Sequence, residues 1–441
     1  MATNQDDPAQ DDLAHAPFDV RSKMASGLPG PAPAWTGSLR FSFVGGNNDA
    51  PSVPVGGLAE AAVHALNRHG SALATYNLGD NPQGYGPLRE FLAAQLAAEA
   101  SLPIGSHEVL VVSGSLQALD LVIETFVAPG DVVVAEQATY GGMLSRLRRA
   151  GAAVVPAELD DDGIVPQALD ALLGRLADEG RLPKLIYTIP TVQNPTGSVM
   201  PVERRRLVLD VARRWGVVIF EDDCYADLMW QGVRPPAIAA LAREGSDVGR
   251  VVYCGSFSKS IAPALRVGFM VAEPPVMSRL VALKDDAGTG AVEQMLLAEY
   301  CSAHFVDHVR ELRNTLGSKC AAMRDAVDTH FGARSAVAGK LGGPVQVTDP
   351  KGGIFVWLTF PAGVDTARYL APAASRGIQF NEGAAWSVDR AWGARRMRLC
   401  FGSLSIEDIH EGVAALAQVI VSNEQAPTDP EPPGCGSLSC P

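Results

Sequence analysis

Residues 251–266 read VVYCGSFSKSIAPALR. A mostly apolar run of strand length, VVYCGS, leads into a polar turn that carries Ser256, Ser258 and Lys259, and Arg266 follows seven residues after the lysine. Two hydroxyls and a guanidinium suit a phosphate dianion. A lysine at the end of a buried strand suits imine formation with an aldehyde. Read alone, the segment fits a surface lysine in a polar loop equally well, and both readings stand at this point.

The same pattern repeats on either side. EVLVVSG (108–114) precedes the helical LQALDLVIETF, and DVVVAE (131–136) precedes a helix near 142–149. KLIYTIP (184–190) precedes VERRRLVLDVARRW, while VVIFED (217–222) and VGFMVA (267–272) flank the rest of the region. Continuous apolar strands separated by helices predict a mostly parallel sheet covered on both faces. Such sheets bind ligands beyond the C-terminal ends of their strands. Residues 86–99 predict a further helix, with Pro87 in its first turn and Leu88, Phe91, Leu92 and Leu96 on one face. After about residue 290 the pattern turns helical. It then offers GGIFVWLTF, a helix at 364–376, MRLCFGSL, and a last helix opened by Ser405 with Asp408 three residues on. This reads as a smaller α+β domain. No internal repeat is present.

Each strand end carries a residue with chemistry. In VVSGSLQALDLV, Gly114 and Ser115 open a helix whose first N–H groups lack internal partners and face an anion site; many such junctions hold nothing. In YTIPTVQNPTG, Asn194-Pro195 ends a strand and Gly197 completes a turn, which also describes a plain Asn-Pro turn. In VVIFEDDCYADL, Asp222 ends a strand and Tyr225 follows, with a capping carboxylate as the simpler reading.

The order GS, NPTG, EDDxY, SxSK and R, each at a strand end, resembles the fold-type I pyridoxal-phosphate enzymes of the class I/II aminotransferase family, in particular the branch of 2-aminoadipate, kynurenine and aromatic aminotransferases. The resemblance spans about residues 40–420. It implies an α/β fold: a large domain with a mostly parallel seven-stranded sheet sandwiched by helices, plus a smaller α+β domain. The implied boundaries are a flexible arm at 1–35, a segment at 36–60 packed with the small domain, a pyridoxal-phosphate domain at 61–300, a small domain at 301–422 and a disordered tail at 423–441.

It also implies roles. Lys259 is similar to the family's Schiff-base lysine, which also moves the Cα proton. Asp222 resembles the partner of the pyridine nitrogen, holding it protonated so that the ring draws electrons from Cα. Asn194 and Tyr225 resemble the donors to the ring's phenolate oxygen, and Tyr140 the aromatic residue that stacks on the ring. The phosphate would lie on the backbone of Ser115 and Leu116, on Ser256 and Ser258, and on Arg266. Arg398 resembles the clamp for the substrate α-carboxylate, with Asn194 beside it. Gly46 resembles a glycine that closes over the substrate, and Tyr76 a residue that reaches the neighbouring subunit's site in a homodimer. The expected reaction moves the amino group of an α-amino acid to a 2-oxo acid. The alternative is β- or γ-elimination, replacement or cyclisation on the same scaffold, as in natural-product biosynthesis.

Four positions depart from the pattern: Leu116 in GSLQ, Cys224 in EDDCY, Asn47 and Asn48 in GGNN, and Asn381 and Glu382 in FNEGAAW. The last two groups point to a polar or basic substrate side chain or to a specialised biosynthetic reaction; Glu382 suits a cationic group, and a solvated loop carboxylate fits it equally well.

Composition bounds the rest. The 441 residues are 47% hydrophobic and 19% charged, enough for a large buried core, and the net charge of −13 argues against nucleic acid as a partner. Some transcription factors carry an aminotransferase-like domain behind a winged helix, but the segment preceding it here is short and acidic. No run of eighteen apolar residues predicts a membrane span, and the acidic, polar N-terminus does not resemble a signal peptide, so a cytoplasmic location is expected. Seven scattered cysteines fit free thiols, and no metal ligand set is assigned. Cys435 and Cys440 sit in a Pro/Gly/Ser-rich tail where incidental thiols are the simpler reading, against a disulfide or a bound metal.

Overall fold

The computed structural model describes residues 19–24, 39–78, 82–245 and 247–424. Most of the expected arm lies outside them, as does the expected tail with Cys435 and Cys440 apart from Asn423, which ends the last helix, and its C-cap Glu424. Within the first 38 residues, Val20–Lys23 form one short 3-10 turn capped by Asp19. Residues 39 onward form a separate unit.

In chain order that unit contains β1 (Phe41–Ser42), α1 (Val55–His69), β2 (Val109–Val112), α2 (Ser115–Phe126), β3 (Val132–Glu136), α3 (Gly141–Arg149), β4 (Ala153–Ala157), β5 (Leu185–Thr188), β6 (Val218–Asp222), β7 (Val251–Ser256), α4 (Phe257–Ser260) and β8 (Gly268–Val271). They are followed by α5 (Ala291–Phe331), β9 (Gln346–Val347), β10 (Phe355–Thr359), β11 (Ile378–Gln379), β12 (Asn381–Glu382), β13 (Arg396–Cys400) and α6 (Ile406–Asn423).

The large sheet has seven strands in the order β2-β8-β7-β6-β5-β3-β4. Period-two alternation splits its side chains between two cores. Val109, Val111, Val132, Val134, Ile186, Ile219 and Val251 bury into one, and Leu110, Val112, Val133, Leu185, Tyr187, Phe220 and Cys254 into the other. Covered on both faces, every strand but β4 is apolar until its end, which is why these read as continuous runs.

Two features of the sheet differ from the sequence reading. The run at 267–272 enters antiparallel to both its neighbours, β2 and β7. The link from Ser256 to Gly268 holds only a short helix and a turn, too little for a crossover back to the other edge. The seventh strand, β4, matched none of the apolar runs. It is an edge strand paired only with β3, half-exposed, and it contains Pro156, which an edge tolerates.

The second sheet, β9-β10-β13-β12, is antiparallel and packs α5 and α6 over a third core that includes Met323, Phe331, Leu358, Phe360, Leu399 and Ile409. β1 pairs with β11, next to this sheet. α5 runs unbroken through positions 300 and 301, because Leu297, Cys301, Phe305, Val309, Leu312, Leu316, Cys320 and Met323 form one buried stripe at helical spacing. At 41 residues it is about 60 Å long, and it carries the chain from one sheet to the other. Ser405 caps α6, its Oγ accepting from the Asp408 N–H at 3.0 Å. No helix among the described residues is long and apolar enough to cross a membrane.

Candidate active site

Parallel pairing aligns the C-terminal ends of β3, β5, β6 and β7 along one edge of the sheet, and β2, antiparallel to β8 as β7 is, ends at the same edge. The antiparallel β8 brings its N-terminal end, and therefore Arg266, to the same edge. A cavity of about 460 Å³ opens there. Its lining includes Gly46, Ser115, Leu116, Tyr140, Asn194, Asp222, Tyr225, Ser258, Lys259, Arg266 and Arg398. Two expected residues do not line it. Ser256 lies just behind, where its hydroxyl accepts from the Ser258 N–H at 3.0 Å and caps α4. Tyr76 is 82% exposed on the surface.

At one end of the cavity α2 begins. Gly114 holds φ +82°, and a Cβ there would lie 2.3 Å from an Arg266 guanidinium nitrogen. Only glycine allows the guanidinium to lie against the helix start. Arg266 Nη1 reaches Ser258 Oγ at 3.4 Å. The first N–H groups of α2 have no intrahelical partner, so a helix N-terminus, a hydroxyl and a guanidinium converge. This arrangement suits a dianionic phosphate.

The middle is set by strand alternation. Tyr187, Asp222 and Cys254 share one face, and Tyr187 donates its hydroxyl to Asp222 Oδ2 at 2.7 Å. The Cys224 N–H lies 3.3 Å from Asp222 Oδ1. Burial raises the carboxyl of Asp222 above its ordinary value, and the bond from Tyr187 opposes that rise. A cation beside this carboxylate would relieve its desolvation. Tyr187 was absent from the sequence reading. Its signal was a phenol in the middle of a buried strand, which must find an acceptor.

Lys259 Nζ donates to the Gly46 carbonyl at 2.7 Å. A Cβ on Gly46 would lie 2.7 Å from that nitrogen, so the position accepts no side chain without displacing the lysine. Burial lowers the Lys259 ammonium below its ordinary value and favours the free amine. Tyr225 is buried edge-to-face on Phe355, 5.1 Å between ring centroids, and burial keeps its phenol protonated.

At the other end stands Arg398, 1% exposed. Nη1 donates to Asn194 Oδ1 at 3.1 Å, and Nη2 donates to Asn381 Oδ1 at 2.9 Å and to the Gly45 carbonyl. The guanidinium lies 3.6 Å over the Trp386 ring, and its Nε has no partner among the described residues. Trp386 is held over Tyr140, 5.7 Å between centroids, because residues 386–388 dock on 137–139 through the Thr139 N–H to Trp386 carbonyl bond of 2.9 Å.

The polar departures sort differently from expectation. Asn381 pairs with Arg398 across β12 and β13 and faces the cavity; Glu382, one residue on, turns to the other side and reaches Arg390 at 3.4 Å. Glu382 does not line the cavity, so its reading as a partner for a cationic substrate is withdrawn. Asn48 donates to the carbonyls of Lys259 and Ile261 at 3.2 and 3.3 Å, a strut under the lysine rather than a substrate contact.

The family described as aminotransferase class I and II matches residues 47–416. The chain is 32% identical to an aromatic-amino-acid aminotransferase of Thermococcus litoralis, over 86% of this chain and 88% of that one. It is also 32% identical to a 2-aminoadipate transaminase of Thermus thermophilus, over 86% and 90%. The solved α-aminoadipate aminotransferase of Thermus thermophilus, bound to N-(5'-phosphopyridoxyl)-L-leucine, superposes with a TM-score of 0.77 at 32% identity, covering 87% of this chain and 92% of that one.

Proposed function

Because the chain belongs to the class I and II aminotransferases, and so transfers amino groups between α-amino acids and 2-oxo acids with pyridoxal phosphate, we propose the following division of labour among its residues. Bound pyridoxal phosphate supplies the aldehyde that takes up the amino group and the ring that draws electrons from Cα. Ser115 and Leu116 through their N–H groups, Ser258 and Arg266 would hold the phosphate, with Ser256 fixing the turn. Asp222, aimed by Tyr187, would keep the pyridine nitrogen protonated. Asn194 and Tyr225 would donate to the phenolate oxygen, and Tyr140 would cover one face of the ring.

Lys259 would carry the cofactor through its Nζ. As a free amine, that Nζ would take the proton from the substrate's Cα and hold it for return. Its lowered affinity for protons suits a base. Arg398 receives the α-carboxylate, with Asn381 holding the guanidinium plane. The observation that carries this reading is the convergence of Lys259, Asp222, the Arg266 cradle and Arg398 on one cavity.

The chain is read as a homodimer in which Tyr76 reaches the neighbouring site. Support comes from the exposed apolar side chains Val55, Val63, Leu66, Leu73 and Tyr76, grouped within 22 residues of chain. The domain limits 61–300 and 301–422, with 36–60 packed on the smaller domain, are kept within this reading, with α5 shared between the two.

A half-reaction screen tests the function. Full-length protein loaded with cofactor is mixed with single amino acids and no acceptor. The expected result is release of one 2-oxo acid per site, with the nitrogen retained on the cofactor. Ammonia release, or a product that has lost a side-chain substituent, would overturn it. Borohydride reduction followed by peptide mapping should find the cofactor on Lys259; label elsewhere would remove that residue from its role.

A further inference from the structure

Beneath the ring position lies a cluster that the transfer of an amino group does not use. A carboxylate oxygen of Asp222 and the sulfurs of Cys224 and Cys254 all lie within 4.8 Å of one another, and all three residues are buried. The sheet dictates this. Asp222 and Cys254 are register partners on β6 and β7, so their side chains leave the same face side by side. The chain then turns after β6, with the Asp223 N–H bonded to the Cys254 carbonyl at 2.9 Å, and this returns Cys224 over the pair. Of the two thiols, only Cys224 lines the cavity. The cavity therefore opens on the cluster through Asp222 and Cys224.

We propose that, when pyridoxal phosphate is absent, Asp222, Cys224 and Cys254 bind one soft divalent cation of the zinc class, and that metal and cofactor exclude each other. Zinc takes thiolate at about 2.3 Å and carboxylate at about 2.0–2.2 Å in a tetrahedron, which sets ligand atoms roughly 3.5–4 Å apart. The present spacing reaches that with shifts of about 1 Å. Two thiolates and one carboxylate neutralise the cation with a single negative charge to spare, and the fourth position opens to the cavity. Binding releases the two thiol protons to water and leaves every oxidation state unchanged. Exclusion follows from position, because the metal and its fourth ligand would take the place beside Asp222 where the pyridine nitrogen would sit. That part rests on the role proposed for Asp222.

The test uses full-length protein carrying Cys435→Ser and Cys440→Ser, which removes the tail thiols. Its cofactor is stripped by amine exchange, and its fold is checked by the return of the cofactor band in metal-free buffer. Cadmium titration should give a thiolate-to-metal charge-transfer band that saturates at one equivalent. Cys254→Ala should abolish the band, and so should Cys224→Ala, which keeps the test alive if one variant misfolds. Saturating zinc should weaken pyridoxal phosphate binding at least about tenfold, with recovery on adding a chelator. Absence of the band, its persistence in both variants, or simultaneous binding of metal and cofactor would overturn the proposal. Failure to regain the cofactor in metal-free buffer would instead overturn the reading of Asp222 and Lys259, since the metal site has its own optical signal.

Discussion

The two ends of the cavity each present an arginine, and the two are held in different ways. Arg266 is exposed, lies eight positions from the serine it contacts, and leans on a helix start through a glycine with no side chain to obstruct it. Arg398 is fully buried, stacked on Trp386, and bonded to Asn194 and Asn381, which lie 204 and 17 positions away. The Arg266 end, proposed to hold the phosphate, stands on the edge of one sheet and joins Arg266 to a helix start far away in sequence. The Arg398 end, proposed to hold the carboxylate, is assembled from the second sheet, the N-terminal segment and the loop after β5. The Arg266 end tolerates loss of one member, because helix N–H groups and hydroxyls still surround the anion. A buried guanidinium held by distant partners does not.

That contrast can be broken by mutation. The largest effect should come between the two ends: Asp222→Asn should lower kcat about a thousandfold, with little change in amino-acid binding, as read by single-turnover kinetics. Next comes Arg398→Lys, whose point charge cannot replace a planar fork. It should cost about a hundredfold in kcat/KM for amino acids and leave cofactor affinity intact. Equal losses for substrate and cofactor would dissolve the distinction between the ends.

Arg266→Ala should weaken pyridoxal phosphate about tenfold, measured by equilibrium dialysis, while kcat at saturating cofactor stays within a few-fold. Tyr187→Phe should act as a mild form of Asp222→Asn, costing about tenfold in kcat and shifting the pH profile of the cofactor band. An unshifted profile would make Tyr187 merely structural.

The smallest effect concerns the frame behind Asn194. Glu136, fully buried, accepts from Thr188 Oγ1 at 2.7 Å, the Ile189 N–H at 3.0 Å and Gln193 Nε2 at 2.9 Å. Burial pushes its carboxyl up to about 7 from an ordinary 4.5. The folded state therefore holds a proton that the unfolded state has lost. The stability this group contributes is complete below about pH 4.5 and disappears as pH rises through about 7. Glu136→Gln cannot titrate, so the fall of Tm across that window should flatten by a few degrees, roughly. An unchanged slope would assign the pH dependence to other groups.

The phosphate end, the lysine and Asp222 were legible in the chain because each sits where an apolar run stops, and a strand's end is a local event. Six of the seven large-sheet strands were visible for the same reason. β4 was not, because an edge strand with a proline carries no continuous apolar signal. At the carboxylate end the sequence supplied Arg398 through resemblance but misjudged its surroundings. Asn48, expected on the substrate side, is a strut, and of the two readings open for Glu382 the loop carboxylate that points away is the one the structure favours.

By itself, then, the sequence determined the alternation of strands and helices, the strand-end residues and the chemistry they share, because these depend on neighbours within a few positions. Only the tertiary structure decided that Tyr187 steadies Asp222, that Trp386 supports Arg398, that Asn381 rather than Glu382 faces the cavity, and that two thiols meet Asp222 beneath the ring. Those choices depend on register and on packing between residues as much as 353 positions apart, as from Gly45 to Arg398, and no local propensity encodes them.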